Sequence, residues 1–128
     1  MKRKIILAIG ICLVVLAIIC FSFVVHDTGV MNRGDHAQSI ITHLAWLVEA
    51  SRDDHGQYPA SLPELASNSD ARVKDVLNQL LQEVSSFKLK LGYQPETNGF
   101  AISISGIDTW RPRQDTLRKE YKIGEALK

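Results

Sequence analysis

The chain begins with an apolar run that would be strongly unfavourable in water. Residues 5–25 carry no charge, and apart from alanines and larger apolar side chains they include only one glycine, one serine and two cysteines. At about 1.5 Å of rise per residue, a helix of this length spans roughly 31 Å, which matches the hydrocarbon core of a bilayer. Because a helix satisfies its own backbone hydrogen bonds in lipid, the run predicts a transmembrane helix.

A cleaved signal peptide is the competing interpretation, since Lys2, Arg3 and Lys4 form a basic start. The run exceeds the usual signal-peptide core of about 7–15 residues, and no small-x-small cleavage site follows it. The sequence therefore favours an uncleaved single-pass anchor in residues 1–25. The positive-inside rule places its N-terminus in the cytoplasm. We expect a bacterial inner-membrane protein whose remaining chain is periplasmic or extracellular.

The composition outside the anchor excludes several classes of site. Both cysteines lie within the apolar run, so the external part has no disulfide, cysteine metal site or thiol nucleophile. Of the 15 basic residues three precede the run, which leaves 12 against 14 acidic residues. This slightly acidic balance gives no reason to expect a nucleic-acid partner.

Residues 26–34 are predicted to be a juxtamembrane linker, because glycines and polar residues occur there without apolar periodicity. Gly29 and Gly34 are expected to interrupt any helix that continues out of the membrane. Asp35 would then be the N-cap of a new helix. Residues 35–128 would form the external domain.

Two amphipathic helices are predicted in the first half of that domain. Their apolar residues recur at the spacing of one helical face, so each helix must bury a stripe. The first stripe is Ala37, Ile40, Ile41, Leu44, Leu47 and Val48, and the second is Val73, Val76, Leu77, Leu80, Leu81 and Val84. The polar residues 67–70 form a loop and offer an N-cap for the second helix.

Between these helices lies the stretch HGQYPASLPEL. Gly56 suits the stop of a helix, and Pro59 favours an extended conformation at Tyr58. Ser61 and Glu64 have the spacing of a capping box, which begins a short new helix. The side chains left to pack inward are Tyr58, Leu62 and Leu65.

After Ser86 the apolar period changes from about 3.6 to 2, which predicts strands joined by a turn at Asn98-Gly99. The inward-facing residues would be Phe87, Leu89, Leu91 and Tyr93, then Phe100, Ile102 and Ile104. Residues 117–123 are compatible with a third strand, with Tyr121 and Ile123 facing in, and equally with a loop. Helices followed by an antiparallel sheet make the fold class α+β.

This order of elements, together with the turn, resembles the type IV pilin and type II secretion pseudopilin superfamily, most of all its major-pseudopilin group. The residues that carry the resemblance are Gly56, Tyr58, Pro59, Ser61, Leu62 and Leu65, with Tyr93 and the Asn98-Gly99-Phe100 hairpin as further support. The resemblance implies that the turn fastens the next segment to a long first helix and that the sheet packs across this helix. It also implies assembly, through the membrane helices, into a short fibre that pushes secreted proteins or holds surfaces.

The chain departs from the pilin pattern where the leader meets the apolar helix. Precursors of that family carry a glycine, an aromatic residue or methionine, and then Thr-Leu-x-Glu at this junction. Here Lys4 is followed directly by Ile5, and the apolar run contains no acidic residue. The sequence therefore predicts a permanent anchor, with no site for a prepilin peptidase.

Major pseudopilins also commonly bind calcium in a loop of the C-terminal sheet region. Asp108 and Asp115 fall in this region, but a hard cation needs several converging oxygens, which two carboxylates seven residues apart do not supply. The sequence leaves a calcium site open and predicts no cofactor.

Two tryptophans are candidate partner contacts. Trp46 falls off the apolar stripe, so it is either an exposed contact residue or part of the core at the margin of a wide stripe. Trp110 precedes Arg111 and Arg113, which suits a contact with lipid headgroups or a protein partner and suits equally a loop aromatic packed on the sheet. His36 and His43 lie seven residues apart, near one face of the helix, and are expected to be solvated.

We expect a non-catalytic structural or interaction subunit whose partners are the bilayer, secretion or pilus components, and further copies of itself. The alternative is a membrane-tethered binding module that captures a ligand or envelope partner without entering a fibre. An enzyme is not expected, because the sequence shows no Ser-His-Asp constellation, phosphate loop or dinucleotide fingerprint.

Overall fold

Helices come first and a small antiparallel sheet second, so the fold is α+β, as predicted. The structure is a computed structural model that describes residues 1–67 and 70–127, with the side chains of residues 53–55 left out. Its elements are α1 (Lys2–His55), α2 (Leu62–Ser67), α3 (Ala71–Ser86), β1 (Lys90–Glu96), β2 (Gly99–Ser105) and β3 (Leu117–Lys122), with short 3₁₀ turns at Pro112–Gln114 and Glu125–Leu127. The chain divides into two compact units, Met1–Asn32 and Arg33–Lys128.

The N-terminal unit is a stretch of α1 whose apolar side chains are exposed along the predicted anchor. Its hydroxyl groups are satisfied within the helix, since Ser22 donates to the carbonyl of Ile18 at 2.9 Å and Thr28 donates to that of Val24 at 2.8 Å. By length and composition, α1 is apolar enough to cross a membrane.

The predicted linker at residues 26–34 is helical, so the expected break there and the N-cap at Asp35 are both wrong. A glycine inside a helix costs only about 1 kcal/mol, and extending an existing helix is far easier than starting one. Tertiary contacts add to this. Arg33 Nε donates to the carbonyl oxygen of Ile107 at 2.8 Å, and the Ile107 side chain lies 4.0 Å from the Cβ position of Gly34.

The core of the C-terminal unit begins with the stripe on α1. All six predicted positions of this stripe are buried, and Ala45 joins them. α3 contributes Leu77, Leu80 and Val84, whereas Val76 and Leu81 remain exposed, so its stripe is narrower than predicted. Asp70 is the N-cap of α3, because its carboxylate accepts the Val73 amide at 3.0 Å.

The sheet is a meander in the order β1-β2-β3 with both pairs antiparallel. In the central strand Phe100, Ile102 and Ile104 are buried, as predicted. The third strand is present, and Tyr121 is buried in it. The strand ends at Lys122, so the prediction that Ile123 faces in is wrong; its side chain is 49% exposed.

The predicted start of the first strand is also wrong. Phe87 is the C-cap of α3, and its ring stacks on His36 with centroids 4.1 Å apart. Lys90 begins β1, and Pro95 lies within it. A proline is tolerated there because β1 is an edge strand of the sheet.

Gly99 is the position where the sheet should tolerate a side chain least. A Cβ added to Gly99 would collide with the carbonyl oxygen of Tyr121 on the neighbouring strand. We predict that Gly99→Ala destabilises the domain by roughly 1–3 kcal/mol, as overpacking does. The control is Gly92→Ala, whose Cβ would lie 2.6 Å from the rotatable hydroxyl of Ser103. Chemical denaturation should show the smaller loss for Gly92→Ala, and equal losses would contradict the proposed backbone collision.

Candidate functional site

The turn after α1 begins at Gly56, which has φ +79°. This left-handed conformation suits glycine, and the Gly56 amide donates to the Arg52 carbonyl at 2.6 Å to close the helix end. Tyr58 is half-buried and Pro59 is buried. The Pro59 carbonyl accepts the hydroxyl of Tyr93 at 2.8 Å, which ties the turn to β1.

α2 is capped close to the predicted pattern. Ser61 Oγ accepts the amide of Glu64 at 3.3 Å, while the Glu64 carboxylate accepts the Ala60 amide at 2.7 Å. In the standard box that carboxylate would take the N-cap amide, so the reciprocal bond is shifted by one residue. Leu65 is fully buried and Leu62 is half-buried.

Glu49 is a buried carboxylate to which three parts of the C-terminal unit are joined. Its side chain is 1% exposed. Oε2 accepts the hydroxyl of Tyr58 at 2.7 Å, and Oε1 accepts the backbone amide of Gly124 at 3.0 Å. Arg52 lies one turn further along α1, with its guanidinium 3.7 Å from Oε1. Because a buried carboxylate is tolerated when it is paired and hydrogen-bonded, these contacts account for its position.

The hydroxyl groups of Tyr58 and Tyr93 both have a raised pKa. Burial, followed by the hydrogen bond to Glu49 and the negative charge of that residue, raises the pKa of Tyr58 to about 12, although Arg52 opposes the shift. Burial, with Tyr58 and Glu64 nearby, also raises the pKa of Tyr93. A raised tyrosine pKa adds stability that is complete below the unfolded pKa of about 10 and is lost as the pH rises through the folded value.

Arg52 and the aromatic rings enclose this network. The guanidinium carbon of Arg52 lies 5.5 Å from the centre of the Tyr58 ring, which itself contacts Phe100 edge-on at 5.1 Å. Phe100 also stacks on Tyr121 at 5.1 Å. The turn, the central strand and the last strand therefore share one aromatic cluster.

Trp46 is exposed to 54%, so it is not part of the core, and its role as a contact residue stays a prediction. It lines an apolar groove of about 320 Å³ between α1, α3 and the C-terminal turn. The groove residues are Thr42, His43, Trp46, Leu47, Val76 and Ala126. His43 is exposed, as expected, whereas His36 is half-buried.

Asp108 and Asp115 both line a second pocket, of about 370 Å³, with Lys88 and Lys90. Asp108 is fully buried, and its Oδ1 accepts the amides of Trp110 at 3.0 Å and Arg111 at 3.1 Å. Both residues therefore line one pocket. Among the residues that the structure describes, no group of three or more His, Cys, Asp or Glu side chains is placed to hold a metal ion.

The residues selected from the sequence lie at three separate places in the structure. The turn residues gather around Glu49, Trp46 lies on the apolar groove, and Trp110 lies on the loop after β2. No family model, curated protein or solved structure matches the chain. What the surfaces do is therefore inferred from their own chemistry.

Sequence reasoning missed Glu49 altogether. A signal was present, because Glu49 follows Ala45 by four residues and Ile41 by eight, which puts a carboxylate on the buried stripe. It also missed the bond from Arg33 to the Ile107 carbonyl. No periodicity reports that contact, since the two residues are 74 positions apart.

We predict that Tyr58→Phe lowers the free energy of unfolding by about 1–3 kcal/mol, because it removes a hydrogen bond to a buried carboxylate. The loss should be smaller in a Glu49→Gln background, since the two residues share that bond. Tyr93→Phe is the control, because its hydroxyl donates to Pro59 instead. Its effect should add to that of Glu49→Gln in urea denaturation. If the losses caused by Tyr58→Phe and Glu49→Gln simply add, the bond between these two residues contributes nothing to stability.

Proposed function

We propose that this protein is a membrane-anchored, pilin-like structural or interaction subunit of a bacterial secretion or surface-fibre apparatus. One observation carries the proposal: a single helix, α1, contains both the apolar run and the stripe that the domain buries. The resemblance to pilins implies a long first helix of this kind. The absence of a break at Gly29 or Gly34 removes one of the departures from that pattern.

The turn supports the same proposal. In the pilin-like arrangement this motif fastens the following segment to the first helix. Here Tyr58 donates its hydroxyl to Glu49 of α1, and Pro59 accepts that of Tyr93 from the sheet. The motif thus links helix and sheet through two hydrogen bonds. The sequence predicted neither of their partners.

Near its N-terminus the chain differs from the pilin pattern, so we do not propose that it is processed like a pilin. Lys4 runs directly into the apolar residues, and the run has no glutamate to pair with a neighbouring amino terminus. We therefore propose a permanent anchor in the inner membrane, with the N-terminus in the cytoplasm and the domain outside. Contacts with partners or further copies would then involve exposed side chains such as Trp46.

A tethered binding module is the second candidate, and the groove at Trp46 is the observation that favours it. The groove is mostly apolar and about 320 Å³ in volume, which is within the range of small-ligand sites. In that case the protein would hold an apolar ligand or an envelope partner without entering an assembly.

For the topology, we predict that Ser67→Cys is labelled by a membrane-impermeant thiol reagent in cells stripped of any outer membrane. Ser67 is exposed at the end of α2, in the C-terminal unit. The two native cysteines lie within the apolar run and should not react, so the unsubstituted protein is the control. Labelling only after the membrane is opened would reverse the proposed orientation.

For the function, we predict that a photo-crosslinking residue at position 46 in intact membranes yields adducts with secretion or fibre components, or with a second copy. The matched control places the same residue at position 94, where Gln94 is exposed on β1. Mass spectrometry identifies the adducts and the N-terminal residue of the protein. An intact N-terminus with adducts only to soluble envelope proteins would favour the binding module instead.

A further inference from the structure

The last described residues of the chain border the apolar groove. A short 3₁₀ turn, Glu125–Leu127, follows β3, and Ala126 of this turn lines the groove. Gly124, directly before the turn, donates its backbone amide to Glu49 Oε1 of α1 at 3.0 Å. Residues 124–127 therefore form one wall of the groove, and we call them the C-terminal strap.

Little apolar surface holds the strap in place. The Leu127 side chain is 46% exposed, Glu125 is exposed, and the small side chain of Ala126 is half-buried. Segments with few buried apolar contacts are those that open locally while the rest of a domain stays folded. Chain ends also fray unless they are tied down. The hydrogen bonds of the strap therefore decide whether it stays closed.

The strap is fastened to α1 through a single carboxylate. The Lys122 amide donates to the Glu125 carboxylate at 2.8 Å, but this bond joins neighbours in the sequence. Among the described residues, the hydrogen bond from the strap to α1 is the one that Gly124 donates to Glu49. This bond is therefore the latch of the strap.

Opening the latch leaves no buried charge without a partner. Glu49 keeps the hydroxyl of Tyr58 at 2.7 Å and the guanidinium of Arg52 at 3.7 Å. Water can then take the place of the Gly124 amide. Because the Glu49 side chain is only 1% exposed when the strap is closed, hydration of its carboxylate offsets part of the lost bond.

The backbone at the start of the strap suits a hinge. The Ile123 amide donates to the Asn98 carbonyl at 3.1 Å, which fixes the chain at the end of the sheet. The next residue, Gly124, has φ +76°. Since glycine adopts this left-handed conformation and others about equally readily, Gly124 can change conformation directly after a fixed residue.

We propose that the C-terminal strap is a gate on the groove at Trp46, with Glu49 as its latch and Gly124 as its hinge. In the closed position Ala126 forms one wall of the groove, which has a volume of about 320 Å³. In the open position this wall is withdrawn, and Trp46 becomes more accessible. The strap thereby controls access to the groove, whichever partner binds there.

The first test measures amide hydrogen exchange by NMR on the full chain in detergent micelles. The Gly124 amide should exchange through local opening, so its rate should not change at low urea concentrations. The Ile123 amide, one residue earlier, should exchange only when the domain unfolds, and its rate should rise with urea. Equal protection and the same urea dependence at both amides would overturn the proposal, because the strap would then open only in global unfolding.

Gly124→Ala should open the strap without changing the latch residue. A side chain is disfavoured in the left-handed conformation, so exchange at position 124 should become roughly five- to thirtyfold faster. The matched control is Gly56→Ala, since Gly56 has φ +79° and an added Cβ would meet no atom within 4 Å at either position. The control should leave exchange at Gly124 unchanged. Equal acceleration in both variants would reflect general destabilisation and contradict the hinge.

The second readout is the fluorescence of Trp46. The chain has 2 tryptophans, so Trp110→Phe leaves Trp46 as the sole reporter. In this background Gly124→Ala should increase quenching by acrylamide and shift the emission to longer wavelength, because the wall at Ala126 is withdrawn. Gly56→Ala should do neither. Faster exchange at position 124 with unchanged quenching of Trp46 would show that the strap moves without opening the groove, which would overturn the gate.

The strap and its latch lie within the C-terminal unit, so opening does not require an assembly. Local exchange at Gly124 in a protein that yields no crosslinks from position 46 to secretion or fibre components would retain the gate and reject the proposed subunit function. Such crosslinks, together with exchange only through global unfolding, would do the reverse.

Discussion

The apolar face of α1 between Ala37 and Val48 has to be covered, and the rest of the C-terminal unit is arranged to cover it. Each large side chain on this face gains about 1.5–3 kcal/mol from burial. A hairpin alone would be marginal in water, because its apolar face also needs a partner. The sheet face of Phe100, Ile102 and Ile104 is buried in the same unit, as expected if the helix and the sheet cover each other. The third strand widens the cover and brings Tyr121 into it.

Glu49 adds specificity to a core that is otherwise held by apolar contact. Apolar surfaces tolerate small shifts, whereas the Tyr58 hydroxyl and the Gly124 amide both require the same carboxylate. Moving α1 by one turn would leave these donors without their acceptor, at a cost of about 1–3 kcal/mol for each buried group. A buried charge is weak evidence for stability in itself. Its contribution here is to fix the position of the turn and of the segment after β3 against the helix.

Local pattern was sufficient to predict most of this fold. Alternation predicted β2, the 3.6-residue period predicted α3 and the stripe on α1, and the polar stretch 67–70 predicted an N-cap for α3, which the structure places at Asp70. The linker prediction failed because propensity treats Gly29 and Gly34 alone, while the helix is extended from an existing apolar segment and braced by Ile107. The contacts of Glu49 were not predicted, because its place on the buried stripe was overlooked and because the Gly124 amide lies 75 residues away in sequence.

The two polar contacts that brace α1 have a consequence for the order of folding. Arg33 bonds to Ile107, 74 residues later, and Glu49 bonds to Gly124, 75 residues later. The sheet itself is built from neighbouring segments, so its hairpins can form early and locally. The bracing bonds, in contrast, cannot close until residues 107 and 124 have been synthesised. A chain still emerging from the ribosome or a translocation channel therefore lacks both of these contacts until residue 124 has emerged, even if its hairpins have already formed.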